Sequence, residues 1–419
     1  KPTVEPPKQL FHIIPPEATE YIAPSAPIVE PVEAPIIPLP FAPRHPLEPL
    51  LILYGYGGGY SGEGLGWISQ EEYKSRRSNT LNENPHVKLD ESKEVADYLS
   101  QLDPKYLEEL EQMDRVIANP MSSNTRTVIT IPAFGEGKII RKTLQQFLNQ
   151  KDRAGNAINP ELFEIIVYEN DTETRPKDET EREIQRFKED HPNLKVHYAY
   201  KRWSQDDINR KINTVGNGRK YLCDLALLRS SKRTSSNGEL IIINNDADLE
   251  EISSRYIIDI VEEFDKNDHL DTVVGKRNLP NWALQKPNVR AGQRMWEIFD
   301  SVMRHGAGTG IAPQKREKGW PGMIGENSAM RASIYAAVGG YNPYARLAED
   351  QELGHMMRVS RNYDDRRFEY LNRLQTIKNP RRYLTTMVSG IPLIQMYNDY
   401  HENKDIRNLD NRQLLKRIP

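Results

Sequence analysis

The sequence lacks the features that mark several common protein classes. It contains one cysteine, Cys223, and no apolar run of about eighteen residues, the length of a membrane-spanning helix. One cysteine excludes an internal disulfide and any site built from several cysteine ligands, and it is typical of a small buried side chain in a reducing compartment. We therefore expect a cytoplasmic protein without an integral membrane segment.

An excess of charge of one sign is also missing. The 57 Lys and Arg residues are balanced by 60 Asp and Glu residues, which leaves a formal net charge of −3. This balance predicts no nucleic-acid partner, because nucleic-acid-binding domains usually carry a basic excess. The length of 419 residues fits two domains, or one domain with appendages. The chain begins at Lys1 rather than Met, which indicates a processed or excised chain.

The N-terminal segment differs in composition from the rest. Residues 1–49 hold 14 of the 29 prolines, which favours extended polyproline II over helix or sheet. Gly57, Gly59 and Gly62 match the spacing of a dinucleotide-binding loop, but further glycines stand where the helix of that motif should begin. We predict a disordered Pro/Gly-rich arm over residues 1–85, serving as a tether or as a peptide ligand for a protein partner.

Helical and then alternating patterns follow the arm. Apolar residues recur at helical spacing between Ser92 and Ile117, with Pro104 as the first residue of a second helix. After Pro120, the runs "TRTVITIPAF", "FEIIVYEN", "LKVHYAY" and "ELIIINND" alternate with helical segments, which predicts an α/β fold with a mostly parallel sheet between helices. The predicted domains are a helical prelude, the α/β domain and a C-terminal helical extension, at 86–120, 121–375 and 376–419.

Polar residues follow three of these strands, in "PAFGEG", "ENDTE" and "NDADLE". The carboxyl ends of parallel strands lie at one edge of the sheet, where ligands of such folds bind. Asp246 and Asp248 stand one residue apart at the third of these places. Residue chemistry alone leaves two interpretations of this pair: a solvated or helix-capping strand end, or a site for Mg²⁺ or Mn²⁺ built from hard oxygen ligands.

Four motifs in a fixed order narrow these alternatives. "VITIPAFGEGKIIRKTLQQFLNQ", "FEIIVYENDTE", "LIIINNDADLE" and "GENSAMRASIYAAVGGYNPYARLAEDQELGHMMR" together resemble the GT-A glycosyltransferases, closest to the family 2 type, between Arg126 and Arg358. The resemblance implies a GT-A, Rossmann-like sheet flanked by helices. It also implies transfer of a single sugar from a nucleotide-diphosphate sugar to a hydroxyl of a glycan, lipid or small-molecule acceptor.

The resemblance assigns residues to the donor and to a divalent cation. The metal, Mn²⁺ or Mg²⁺, is expected at Asp246 and Asp248, with Asp248 as the direct ligand and Asp246 nearer the ribose. "GNGRKYLCDLALL" is similar to the family's Gly-Lys-Ala-Asn-Ala-Leu helix and implies that Arg219 and Lys220 lie near the pyrophosphate, although by themselves they are ordinary surface charges. The nucleotide is expected to contact Pro132, Ala133, Phe134, Glu136, Glu169, Asn170 and Asp171.

The last motif implies the acceptor side. Asn327 belongs to a segment similar to the family's Gly-x-Asn-x-Ala-x-Arg, and the pair Glu349–Asp350 to its Glu-Asp motif, whose Asp is the general base of inverting members. From the residues alone, capping of the following helix is the better interpretation of this acidic pair, and only the order of the motifs favours the base. Trp320 fits either the sugar pocket or the core, and His355 and His401 fit either a third metal ligand or the surface.

Two further functions stay open beside inverting transfer. A retaining GT-A enzyme would share the metal site but use Asp350 differently. A non-catalytic glycosyltransferase-like module would keep the fold for binding or for a structural role.

Overall fold

The computed structural model describes the chain from residue 87 onward, with gaps. The predicted arm over 1–85 lies outside the described residues, as do Trp320, His401, the side chain of His355 and most of the predicted C-terminal extension. The described residues are 87–117, 119–137, 139–173, 177–209, 213–291, 293–294, 323, 325–345, 349–361, 364–381, 384, 412–413 and 416.

Eight strands within the described residues form one sheet in the order β3-β2-β1-β4-β7-β6-β8-β5. Neighbours from β3 to β4 run parallel, as do β6 and β8. Strand β7 is antiparallel to both β4 and β6, and β5 is antiparallel to β8. The strands are β1 (Thr127–Ala133), β2 (Phe163–Thr172), β3 (Val196–Trp203), β4 (Ile241–Asn244), β5 (Leu249–Ile252), β6 (Thr272–Asn278), β7 (Ser328–Arg331) and β8 (Phe368–Lys378).

Helices surround the sheet. The second begins at Pro104, as predicted, because a proline in the first turn lacks only an N–H that has no helical partner there. None of the described helices is long and apolar enough to cross a membrane. The helices are α1 (Glu91–Ser100), α2 (Pro104–Ile117), α3 (Ile140–Leu148), α4 (Thr180–Asp190), α5 (Gln205–Asn209), α6 (Val215–Ser231), α7 (Tyr256–Lys266), α8 (Asn281–Leu284), α9 (Ala332–Ala337) and α10 (Glu349–Ser360).

Each face of the sheet carries a layer of helices, because the central strands are apolar on both sides. Ile129 of β1 pairs with Ile165 of β2, and both pack with α3, α4 and α7. Val128 and Ile166 point to the other face, where they pack with α1, α2, α6, α9 and α10. Burial of apolar surface in both layers is the main stabilising term of such a fold.

Helix α6 is buried along almost its whole length: 15 of its 17 residues lie inside the protein. Its N-cap is Thr214, whose hydroxyl accepts from the Asn217 N–H at 2.9 Å and donates to the Pro343 carbonyl at 2.7 Å. The cap therefore joins the start of α6 to the segment that leads into α10. A helix so deeply placed must satisfy every charge it carries with buried partners.

The predicted α/β class is confirmed: a mostly parallel sheet lies between two layers of helices. Strand β7 is a feature that the sequence pattern did not predict. Ser328 at its start pairs with Asn244 at the end of β4, so the "GENSAMR" segment enters the sheet beside the aspartate pair. The domain boundaries remain predictions.

Candidate active site

The predicted nucleotide residues of the first motif lie where β1 ends and the following turn begins. Pro132 and Ala133 close the strand, and Ala133 pairs with Glu169 of β2. Phe134 follows in the turn, and the backbone N–H of Glu136 donates to the hydroxyl of the first residue of α4 at 3.0 Å. The turn is thereby fixed against α4, at the same sheet edge as the end of β2.

Glu169 is a buried carboxyl at this edge. Burial raises its pKa to about 7, and the nearby Asp178 and Asp171 add to the rise, although the hydrogen bond donated by the Tyr198 hydroxyl opposes it. A carboxyl in this state can accept or donate a hydrogen bond near neutral pH. Its surroundings can therefore bind a polar group such as a nucleobase edge.

The two residues after Glu169 point to opposite faces, as alternation along a strand requires. Asp171 lies on the same face as Glu169 and accepts a hydrogen bond from the Tyr200 hydroxyl at 3.3 Å. Asn170 faces the α6 side, where its side-chain oxygen accepts from the Trp203 indole N–H. Glu169 and Asp171 thus form one acidic face, and Asn170 belongs to the packing beneath it.

The aspartate pair occupies a turn between β4 and β5, here called the aspartate turn (Asp246–Asp248). The Thr143 hydroxyl of α3 donates to the Ala247 carbonyl at 2.7 Å and accepts from the Leu249 N–H at 3.0 Å. On the other side, the Asn379 N–H donates to the Asp248 carbonyl at 2.8 Å. The turn is therefore held from two directions, and the Asp248 residue is only 7% exposed.

Arg219 of α6 joins this turn to the acidic pair at the start of α10. Its Nη2 donates to Asp246 Oδ1 at 2.7 Å, and its Nε donates to Glu349 Oε1 at 2.9 Å. Burial would lower the pKa of Arg219, but the charges of Asp246 and Glu349 raise it above its usual value, so the guanidinium stays charged. The side chain passes so close to Gly325 that a Cβ there would lie 2.4 Å from Nη2.

Both carboxyls of the acidic pair of α10, Glu349 and Asp350, have raised pKa values. Burial raises the pKa of Glu349 to about 7, the neighbouring Asp350 adds to the rise, and Arg219 opposes it. Burial also raises the pKa of Asp350 above its ordinary value, against the charge of Arg219 and two backbone donors. Those donors are the Gly325 N–H, 2.6 Å from Oδ2, and the Gln351 N–H, 2.8 Å from Oδ1.

Two predicted site residues are engaged elsewhere. Lys220 points away from Arg219, into a buried pair with Asp224 at 2.8 Å, next to the α1 side chain Tyr98. Asn327 is tied into the sheet: its amide donates to the carbonyl oxygens of Lys276 and Leu374, and its oxygen accepts from the hydroxyl of a buried tyrosine on α7. The amide of Asn327 therefore fixes β7 against β6 and β8.

The donor set at the aspartate turn suits a hard divalent cation. Mg²⁺ is typically held by one or two carboxylates together with substrate phosphates, and Asp246 and Asp248 supply two carboxylates at the sheet edge. Within the described ranges, no group of three His, Cys, Asp or Glu side chains could hold a metal by itself. Phosphate oxygens of a substrate could supply further ligands to a cation here.

Sequence reasoning missed three kinds of residue in this site. Thr143 holds the aspartate turn, but a threonine on the apolar side of a helix gives no sequence signal. Tyr198 contacts Glu169 only because β3 pairs with β2. Glu326 stands inside a quoted motif, and its partners Arg277 and Lys378 are 49 residues before it and 52 residues after it.

Comparison with known proteins gives matches only among solved structures. No protein-family model matches the chain, and no curated protein matches its sequence. A mannosyltransferase from Pyrobaculum calidifontis, in complex with GDP-Man and Mn²⁺, is similar at 14% identity and a TM-score of 0.41, over 74% of this chain and 76% of that one.

Two further structures are similar at lower scores. Residues 1–349 of TarS from S. aureus match at 14% identity and a TM-score of 0.38, over 70% of each chain. Glucosyl-3-phosphoglycerate synthase from Mycobacterium tuberculosis matches at 12% identity and a TM-score of 0.32, over 68% of this chain and 84% of that one. At these scores, the assignment of function rests on the site geometry of this chain.

Proposed function

We propose that the chain is a metal-dependent glycosyltransferase that moves a single sugar from a nucleotide-diphosphate sugar to an acceptor hydroxyl, with inversion. The observation that carries the proposal is the bridge formed by Arg219. One guanidinium joins Asp246 of the aspartate turn to Glu349, the neighbour of Asp350, so three sequence motifs meet at one sheet edge. The groups that activate the donor and deprotonate the acceptor hydroxyl must lie close together, because the hydroxyl oxygen attacks the bound donor.

The donor nucleotide is assigned to the ends of β1 and β2. Glu169 and Asp171 present carboxyl oxygens on one face, which suit the N–H and O–H groups of a base and a ribose. Arg219 adds a fixed positive charge behind the diphosphate. Asp248, with Asp246, would hold the Mn²⁺ or Mg²⁺ that stabilises negative charge on the leaving diphosphate.

Asp350 is proposed as the general base. Its two backbone N–H donors orient the carboxylate, and each oxygen still has a lone pair for an acceptor hydroxyl. A raised pKa makes a carboxylate a stronger base, provided that it is ionised at the working pH. The proton of the acceptor hydroxyl would pass to Asp350 as the hydroxyl oxygen attacks the anomeric carbon.

The test compares two substitutions that should fail at different stages. Asp248→Ala should abolish Mn²⁺-dependent binding of a nucleoside diphosphate, measured by calorimetry. Asp350→Asn should keep that binding and lose transfer by about 10²- to 10⁴-fold, because only the proton acceptor is removed. Asp268→Asn, an exposed acid paired with Lys88, is the matched control and should change neither quantity.

Two results would refute the assignment. Unchanged nucleotide affinity in Asp248→Ala would exclude that carboxylate as the metal ligand, and full transfer by Asp350→Asn would exclude the base. Analysis of the product anomer by NMR tests inversion, because a retaining enzyme would give the donor's anomeric configuration.

A further inference from the structure

One buried hydroxyl bridges the backbone on both sides of Asp248. Thr143 belongs to α3, and its side chain is fully buried. The hydroxyl donates to the Ala247 carbonyl at 2.7 Å and accepts from the Leu249 N–H at 3.0 Å. A single side-chain oxygen therefore spans the residue that is proposed as the direct metal ligand.

This bridge fixes the two peptide units that meet at Asp248. The Ala247 carbonyl belongs to the unit before the Asp248 Cα, and the Leu249 N–H belongs to the unit after it. Because each peptide unit is planar, the orientations of the two units determine the backbone dihedral angles of Asp248 and with them the direction of its Cα–Cβ bond. The second unit is also held at its other end, where the Asp248 carbonyl accepts from the Asn379 N–H at 2.8 Å.

The place of Thr143 on α3 is unfavourable for a polar side chain. It shares the buried face of the helix with Ile140, Leu144 and Phe147, where an apolar side chain would pack without a hydroxyl to satisfy. Threonine is also a weaker helix former than leucine or alanine. Packing and helix propensity therefore do not explain the hydroxyl, whereas the bridge across Asp248 does.

Helix α3 also connects the aspartate turn to the proposed nucleotide residues. The helix begins directly after the turn that follows β1, where the Ile140 N–H donates to the Glu136 carbonyl at 2.9 Å. Thr143 lies one turn into the helix. A short regular element thus joins the nucleotide end of the sheet edge to Asp248, and sites held by helices keep their geometry more precisely than sites held by loops.

We propose that Thr143 is a positioning residue for the metal site: its hydroxyl holds Asp248 in the direction that binds the divalent cation. This inference rests on the proposed function and adds a residue to it. Thr143 acts through the backbone of Asp248 rather than as a ligand. Partners that orient a metal ligand by hydrogen bonds typically change metal affinity by about 10- to 100-fold when they are substituted.

The test separates the hydroxyl of Thr143 from its bulk. Thr143→Val removes the hydroxyl and keeps the shape, Thr143→Ala removes both, and Thr143→Ser keeps the hydroxyl. Calorimetry measures the affinity of UDP and of GDP for each variant with Mn²⁺, with Mg²⁺, with Ca²⁺ and with EDTA. The matched control is Thr125→Val, at a second fully buried threonine, whose hydroxyl donates to the Glu161 carbonyl at 3.3 Å beside the amino ends of β1 and β2.

We expect the Mn²⁺-dependent affinity to fall about tenfold or more in Thr143→Val and Thr143→Ala, and to stay within about threefold of the wild type in Thr143→Ser and Thr125→Val. The affinity in EDTA should be the same in all five proteins. The loss should be larger with Mg²⁺, which demands near-ideal octahedral geometry, than with Ca²⁺, whose coordination is flexible. A role confined to stability would lower the affinity with both cations equally.

Four results would overturn the positioning role. They are unchanged Mn²⁺-dependent affinity without the hydroxyl, an equal loss of affinity in EDTA, an equal loss with Mg²⁺ and Ca²⁺, and a Thr143→Ser variant as weak as Thr143→Val. The last would assign the effect to packing of the threonine methyl group. A wild type whose nucleotide affinity does not depend on a divalent cation would instead refute the proposed function, whatever the variants show.

Discussion

Two buried arginines lie near opposite ends of α6. Both have carboxylate partners, but the pKa of a neighbouring glutamate is lowered at one arginine and raised at the other. Arg219, near the start of the helix, and Arg229, near its end, each bridge two carboxylates. The acids are Asp246 and Glu349 at the first arginine, and Asp114 and Glu164 at the second. The first cluster lies at the sheet edge of the proposed active site, and the second lies near the opposite ends of the strands.

The pKa values of Glu164 and Glu349, one carboxyl from each cluster, shift in opposite directions. Burial alone would raise the pKa of Glu164, but the hydrogen bond with His197 and the charge of Arg229 outweigh burial and hold it below its usual value. Burial raises the pKa of Glu349 to about 7, and Arg219 does not offset the combined effect of burial and Asp350. The surroundings of Glu164 therefore favour its carboxylate form, whereas those of Glu349 favour its protonated form.

The opposite pKa shifts indicate different roles for the two ends of α6: the Arg229 end stabilises the fold, and the Arg219 end belongs to the proposed active site. A cluster whose acids have lowered pKa values gains stability from its charges, whereas two adjacent buried acids with raised values cost stability and are typical of functional sites. The next substitutions test whether the two arginines differ in this way.

The largest expected effect is the loss of Arg229. Arg229→Met leaves the buried carboxyl of Glu164 beside His197 without the guanidinium, and we expect the free energy of unfolding to fall by about 3–5 kcal/mol. Urea denaturation monitored by circular dichroism measures it. The control is Lys232→Met, which removes an exposed partner of Asp114 and should cost less than about 1 kcal/mol.

Arg219→Met provides the other half of this comparison. Because Glu349 has a raised pKa, it can take up a proton when its partner is lost, so the stability cost should be smaller at pH 6 than at pH 8. The cost of Arg229→Met should vary less in this range, because the pKa of Glu164 starts from a lowered value. Equal, pH-independent costs for both arginines would contradict the distinction.

The next effect concerns Glu349 itself. A carboxyl with a folded pKa of about 7 and an unfolded pKa of 4.5 binds more protons in the folded state, so the unfolding free energy falls as pH rises between these values. Glu349→Gln removes this dependence. Its stability relative to the wild type should rise by roughly 1–3 kcal/mol from pH 5 to pH 8.

Glu164→Gln is the control for the pH dependence. The pKa of Glu164 is lowered in the folded state, so its contribution is complete above the unfolded value and is lost only as pH falls through the folded value. The stability difference between Glu164→Gln and the wild type should therefore be flat from pH 5 to pH 8. Parallel pH profiles for the two Gln variants would refute the opposite shifts.

The sequence predicted the sheet because apolar runs with polar ends repeat at the spacing of strands and helices. It also located the aspartate turn and the acidic pair, since both follow recognisable motifs. Spacing could not reveal that Arg219 joins them across 27 and 130 residues, or that its neighbour Lys220 points into a different cluster. Such pairings depend on helix rotation and on the antiparallel insertion of β7, which local patterns do not encode.

The smallest expected effect lies in the middle of α6, where Lys220 pairs with Asp224. The Tyr98 hydroxyl of α1 donates to Asp224 at 2.7 Å, and Asp224 also accepts from the hydroxyls of Tyr106 and Tyr335. Tyr98→Phe removes one donor of several, so we expect a stability loss of about 1 kcal/mol and unchanged transfer activity. A matched Tyr200→Phe, which removes a less buried hydroxyl, should cost less stability. Lost transfer in a stably folded Tyr98→Phe would place this middle cluster with the Arg219 site rather than with the Arg229 one.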